Sequence, residues 1–199
     1  MGVIDMNTIE QQSNLADKLL SQLEVISPYV MLAGGAPRDW YFRNLATDLD
    51  IYLYSPAITI KTMQKQLKLA TGVDFKHNWE LQKNDQSLYS TMPQLRRVFE
   101  ADIDGIKVQI MQLNEPNDEF KVVNYMSTSI CKLWYKDGEI NLHQDFKLTI
   151  ASGVMFLNDG YNWSDPHPKK MIEKFRNRFP QSTKAQAMSL VVNKALSDY

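Results

Sequence analysis

Between Asn7 and Ile26, Ile9, Leu15, Leu19, Leu20, Leu23 and Ile26 recur at mostly three- and four-residue intervals, with charged and amide side chains between them. That spacing predicts an amphipathic helix. A short apolar run from Tyr29 to Ala33 stops at Gly34-Gly35, and a second, Leu49 to Tyr54, begins within an acidic pair. Both read as strands. Ala36 to Asn44 has no turn pair after Pro37, and proline is tolerated in the first helical turn, so a short helix fits between them. Ser55 then caps or precedes a helix carrying Ile60, Met63, Leu67 and Ala70. The order so far is strand, helix, strand, helix.

Val98 to Leu113 reads as two runs joined by Asp104-Gly105, a strong short-range hairpin signal. With those two residues as the turn, Ile103 pairs with Ile106, Ala101 with Val108 and Phe99 with Ile110 on one face. Asp102 then pairs with Lys107, and Glu100 with Gln109, on the other. A second hairpin, within Ile130 to Leu142, turns at Asp137-Gly138. Pro168 to Phe179 and Lys184 to Leu196 read as two helices separated by Pro180, and Thr71 to Gln94 is the least regular stretch. The expected division is a head over residues 1–157 and a helical extension over 158–199, within one compact unit.

Composition narrows the function classes. The 199 residues are 44% apolar and 23% charged, enough to bury a core. Lysine and arginine (22) nearly balance aspartate and glutamate (23), which excludes a histone-like polycation and confines any nucleic-acid contact to a local patch. Cys131 is the single cysteine and cannot form an internal disulfide; it reads as a small core residue. The three histidines are too scattered for a zinc cluster. A polar, acidic start and the lack of a long apolar run lead us to expect a soluble, cytoplasmic protein.

The chemistry concentrates in Met31 to Tyr54. Asp48 and Asp50 lie two apart on a strand, so their carboxylates leave one face, about 7 Å apart along the backbone, and can converge on a hard cation. Oxygen ligands suit magnesium or manganese. Gly34 and Gly35 remove side chains where a helix starts, which leaves backbone N–H groups open to phosphate. Arg38 and Asp39 follow in the first helical turn. Together these features describe a site for a nucleoside triphosphate.

This stretch resembles the head-domain signature of class II tRNA nucleotidyltransferases and bacterial poly(A) polymerases, within the DNA polymerase β-like superfamily. Gly34, Gly35, Arg38, Asp39, Asp48 and Asp50 fall at the family's spacing. The resemblance implies an α/β fold, a mixed sheet flanked by helices, with the site at the strand ends carrying Gly34 and Asp48. It also implies magnesium- or manganese-dependent transfer of a nucleoside monophosphate from an NTP to an acceptor hydroxyl. In these terms Asp48 and Asp50 hold metal, and Gly34, Gly35, Arg38 and Asp39 serve the nucleotide, Arg38 alternatively forming a structural ion pair with Asp39 or Asp48. The superfamily's third carboxylate falls at Gln109; Glu100, across the ladder, is available as the substitute, with Asp102 next in line, the alternative being a solvated polar face.

Two family motifs are missing. Met126, Ser127, Thr128, Ser129 and Cys131 stand where the family has Arg-Asp-Phe-Thr-x-Asn, and the neck motif that selects between CTP and ATP is replaced by His167 to Phe179. The chain also stops short of the body and tail that grip tRNA in full-length relatives, which suggests a stripped-down, phage-type form. An RNA 3′ end, such as that of tRNA, is the first acceptor. A protein or small-molecule hydroxyl is the alternative, as is a non-catalytic NTP- or RNA-binding relative. From Asp165 onward seven basic residues face three acidic ones, and Lys170, Lys174 and Arg178 form a helical stripe for triphosphate or RNA, or simply a solvated face. Of Trp40, Tyr41 and Phe42, at least two are expected in the core, with base stacking the other use.

Overall fold

The computed structural model describes residues 8–78, 94–115, 119–152 and 155–158. Helix α1 (Ile9–Leu23) opens on Thr8, whose hydroxyl accepts from the Gln11 N–H while the Gln11 side chain accepts from the Thr8 N–H, a reciprocal cap. Its buried stripe of Leu15, Ala16, Leu19, Leu20 and Leu23 is the one the spacing predicts. Strand β1 (Met31–Ala33), helix α2 (Gly35–Tyr41), strand β2 (Asp48–Tyr54) and helix α3 (Ile60–Thr71) follow in the expected order. Thr59, not Ser55, caps α3: its hydroxyl accepts from the Thr62 N–H, while Ser55 lies beside the end of β2, where its N–H donates to the Leu113 carbonyl.

A two-residue strand β3 (Lys76–His77) lies within the irregular stretch, and β4 (Leu95–Ile103) and β5 (Ile106–Leu113) form the first hairpin. All five anticipated pairs are present, from Ile103↔Ile106 to Phe99↔Ile110. Asp104 and Gly105 both take positive φ (52° and 82°), as a tight hairpin of this hand requires. Helix α4 (Glu119–Asn124) and a short 3₁₀ helix (Ser129–Cys131) lead to the second hairpin, β6 (Leu133–Lys136) and β7 (Glu139–Leu142), and then to helix α5 (Gln144–Ser152). The two C-terminal helices expected over 168–196 lie outside the described residues, as do Lys170, Lys174 and Arg178.

The strands make one seven-stranded mixed sheet in the order β3-β4-β5-β2-β1-β6-β7. Only β2 and β5 run parallel among its neighbouring pairs. One face, with Leu32, Leu49, Ile51, Leu53, Phe99 and Ile110, packs beneath α1 and α3. On the other, Met31, Tyr52, Val98 and Met111 meet Val122 of α4. This α/β arrangement agrees with the expected fold class. No helix among the described residues is long and apolar enough to cross a membrane.

Candidate active site

Strands β1 and β2 are antiparallel, with Leu32 opposite Ile51, so the end of β1 and the start of β2 meet at one end of the strands, in the middle of the sheet. Gly34 and Asp48 are therefore neighbours in space because of register, although 14 positions separate them in sequence. Gly34 holds φ 86° and ψ −115°, a backbone region essentially reserved for glycine, and turns the chain from β1 into α2. A Cβ there would also touch the Met126 thioether, 3.5 Å from its Cε. At Gly35 an added Cβ would lie 3.9 Å from both Arg38 Nη2 and Asp48 Oδ1. The bare backbone of Gly35 thus leaves a position that both a guanidinium nitrogen and a carboxylate oxygen border at contact distance.

Asp48 and Asp50 are half-buried, and both project from the α4 face of the sheet, since their β5 partners are Lys107 and Gln109, which alternate with the core-facing Val108 and Ile110. Thr47 donates its hydroxyl to Asp48 Oδ1 at 3.1 Å. Gln109 is directly beside Asp50 and opposite Glu100, so the three make one row across β2, β5 and β4. Glu100 is one strand further from the aspartates than Gln109 is. Its Oε2 accepts from Asn78 (2.9 Å) and Gln109 (3.4 Å) and pairs with Lys107 Nζ at 2.9 Å. Burial pushes the Glu100 carboxyl up, but these partners pull it below the ordinary 4.5. No group of three or more histidine, cysteine or acidic side chains among the described residues is arranged to hold a metal ion.

A cleft of about 480 Å³ lies on the β4–β5 side of the aspartates, with Val73, Lys76, Glu100, Asp102 and Lys107 in its walls. Asp102 is in this cleft, but it is also bound up in the turn, its Oδ1 accepting from the Gly105 N–H at 3.0 Å.

Arg38 and Asp39 are both 2% exposed. Nε and Nη2 of Arg38 donate to Asp39 Oδ1 at 3.0 and 2.9 Å, which realises the ion pair between neighbours that the sequence left open. Nη1 donates to Cys131 Sγ at 3.3 Å. Burial works against the guanidinium charge, and the Cys131 sulfur and Asp39 carboxylate more than restore it, so its pKa is raised. Cys131 is buried, as its reading as a core residue anticipated, and it is also an acceptor for Arg38 across 93 positions. No local pattern signals that contact. The stretch from Met126 to Cys131, where the family motif is absent, packs against the glycine turn through Met126 and against Arg38 through Cys131.

Trp40 is in the core, edge-on to Tyr135, with its Nε1 donating to Gln12. Phe42 packs with Phe146 of α5, and Tyr41 is the most exposed of the three aromatics, at 37%.

No family model and no curated protein matches the chain. Solved structures do. The CCA-adding enzyme of Thermotoga maritima, solved with tRNA, superposes with TM-score 0.59 at 13% identity over 92% of this chain and 40% of its own. A CCA-adding enzyme with CTP gives 0.59 at 12% identity over 89% and 40%. A tRNA nucleotidyltransferase with a primer tRNA and an incoming ATP analogue gives 0.50 at 14% identity over 81% and 43%. The chain therefore spans less than half the length of these structures, and none of them bears on a phage-type setting. At such identity the likeness establishes the architecture: this is the nucleotidyltransferase-type α/β fold.

Proposed function

We propose that this chain is a divalent-metal-dependent nucleotidyltransferase that moves a nucleoside monophosphate from an NTP to an RNA 3′ end. The observation that carries the reading is the meeting of Asp48 and Asp50, on one sheet face, with a side-chain-free turn at Gly34-Gly35. Two hard carboxylates fit magnesium or manganese, and Asp48 and Asp50 are the residues that would hold it. The bound ion supplies charge neutralisation on the triphosphate and acidification of the attacking hydroxyl.

The chain's own residues orient and exclude. Gly35 leaves room for phosphate oxygens beside Asp48, Gly34 makes the turn that brings it there, and Arg38, fixed by Asp39, presents positive charge at the same turn. In-line displacement places the attacking and leaving oxygens on opposite sides of the α-phosphorus. With pyrophosphate leaving toward the glycine turn on the β1 side, the acceptor hydroxyl enters from the β4–β5 side, where the cleft lies. Glu100 acts there by holding Lys107 and Gln109 in place next to the aspartates. Lys170 and Lys174 are proposed to add positive charge for the triphosphate or the RNA backbone. The tRNA, CTP and ATP analogue named for the neighbouring structures support an NTP donor and an RNA acceptor.

A second reading is favoured by Gln109, a neutral side chain directly beside Asp50: a relative that binds NTP or RNA without turnover. Incubation with each labelled NTP, magnesium and total RNA or lysate separates the readings. Label in RNA supports tailing. Label in protein or a small molecule moves the acceptor to that class, and binding without transfer supports the non-catalytic form.

A further inference from the structure

Arg38 is held from two directions by groups far apart in sequence. Asp39, its neighbour on α2, takes Nε and Nη2 on a single oxygen. Cys131, on the 3₁₀ helix, takes Nη1 on its sulfur at 3.3 Å. The sulfur accepts in turn from the Thr128 hydroxyl at 3.6 Å, and the Cys131 N–H is bonded to the Thr128 carbonyl at 3.0 Å. Ser129 Oγ and Thr149 Oγ1, 2.6 Å apart, fasten the same short helix to α5. Arg38, Thr128 and Cys131 are all buried.

One carboxylate oxygen shared by two N–H groups fixes an edge of a guanidinium but leaves its plane free to swing about that point. A second acceptor on Nη1 removes the freedom. Nη2 then stands 3.9 Å from the position a Gly35 Cβ would take, and Asp48 Oδ1 lies at the same distance from it. We infer that Cys131 is a positioning residue: its sulfur, backed by the Thr128 hydroxyl, sets the plane of Arg38 so that Nη2 borders the bare space over Gly35 beside Asp48. Cysteine at this point is a small side chain that packs as an apolar group and still accepts a hydrogen bond in a closed core. Only the consequence for nucleotide rests on the function proposed above; the arrangement of Arg38 does not.

The test compares Cys131→Ser, which keeps an acceptor, with Cys131→Val, which keeps bulk and loses it, in the full chain. Thr128→Val is a milder variant should Cys131→Val fail to fold. Two readouts are taken. The first is the arginine side-chain N–H resonances by NMR, with Arg38 assigned through Arg38→Lys. The second is affinity for Mg²⁺-ATP and Mg²⁺-CTP by equilibrium dialysis. Cys131→Ser should retain the restrained Arg38 signals and bind within about twofold of the parent. Cys131→Val should broaden them and weaken binding about tenfold, the effect of losing one hydrogen bond to a charged group. Thr128→Val should fall between. Broadened Arg38 signals with unchanged affinity would uphold the positioning and remove Arg38 from the nucleotide site. Unchanged Arg38 signals in Cys131→Val, whatever the affinity, would overturn the inference.

Discussion

Replacing Gly34 and Gly35 one at a time by alanine separates backbone strain from site occlusion. At Gly34 the backbone angles of 86° and −115° exclude ordinary side chains, so Gly34→Ala should cost about 1–3 kcal/mol. For a chain of this size that is a fall in Tm of about 2–10 °C. Gly35 has no such restriction, and its added Cβ would meet both Arg38 Nη2 and Asp48 Oδ1 at the ordinary contact distance of 3.9 Å. It lies in α2, where alanine is the better helix former by up to about 1 kcal/mol, so the Tm should hold or rise by about 1–4 °C. The same methyl occupies the position that guanidinium and carboxylate both border, and Mg²⁺-ATP affinity should fall at least about tenfold, near 1.4 kcal/mol. Calorimetry and equilibrium dialysis on the two variants give both numbers. Native Mg²⁺-ATP binding by a stable Gly35→Ala protein would refute the placement of phosphate at this turn, and an unshifted Tm for Gly34→Ala would refute the strain argument.

Other expectations are independent of that pair. Asp48→Asn with Asp50→Asn should abolish label transfer while circular dichroism and Tm stay near the parent; full activity in the double variant would end the catalytic reading. Because the Glu100 carboxyl is held below its ordinary 4.5, its stabilising contribution is present above that value and is lost as pH falls through the folded-state value. Glu100→Gln should therefore flatten the slope of Tm against pH between about pH 5 and 3, and parallel curves would contradict the network. Gln12 accepts from Trp40 Nε1 (2.9 Å) and the Ala46 N–H (2.8 Å) and donates to the Ala46 carbonyl (3.0 Å). Gln12→Leu leaves these buried groups unpaired and should cost about 2–4 kcal/mol in urea unfolding, against about 1 for Trp40→Phe.

What the sequence makes legible depends on the range over which each signal acts. The Asp104-Gly105 turn admits two residues, so it dictates the β4–β5 pairs from Ile103↔Ile106 out to Arg97↔Gln112, beyond which a register shift sets Leu95 against Leu113, and the placement of Glu100 opposite Gln109 is legible without a structure. Period-two alternation likewise put Asp48 and Asp50 on one face. Ser55 precedes α3 and Thr59 caps it: both are chemically suitable caps, and the choice falls to where β2 stops being hydrogen-bonded to β5. Nothing local announces that β2 runs parallel to β5, that two-residue β3 joins the edge, or that a sulfur at position 131 meets a guanidinium at position 38. These are products of long-range packing. The same applies to Glu100: its side of the sheet was readable, but its distance from the aspartates depended on which strand would take the place between them.

The ladder joining β1 to β6 comprises only the pairs Leu32↔Tyr135 and Ala33↔Trp134, whereas β2 and β5 are joined along seven pairs. The β1–β6 junction is thus one of the short seams of the sheet, matched by the two-pair ladders β1–β2 and β3–β4. Amide protons along it should exchange with solvent sooner than those of β5, and a transient parting there would carry the 3₁₀ helix away with the second hairpin. The glycine turn would then lose its rear support while the aspartate strand stayed zipped to β5, so on the proposed function an opening at this seam would loosen the hold on phosphate and leave the carboxylates in place.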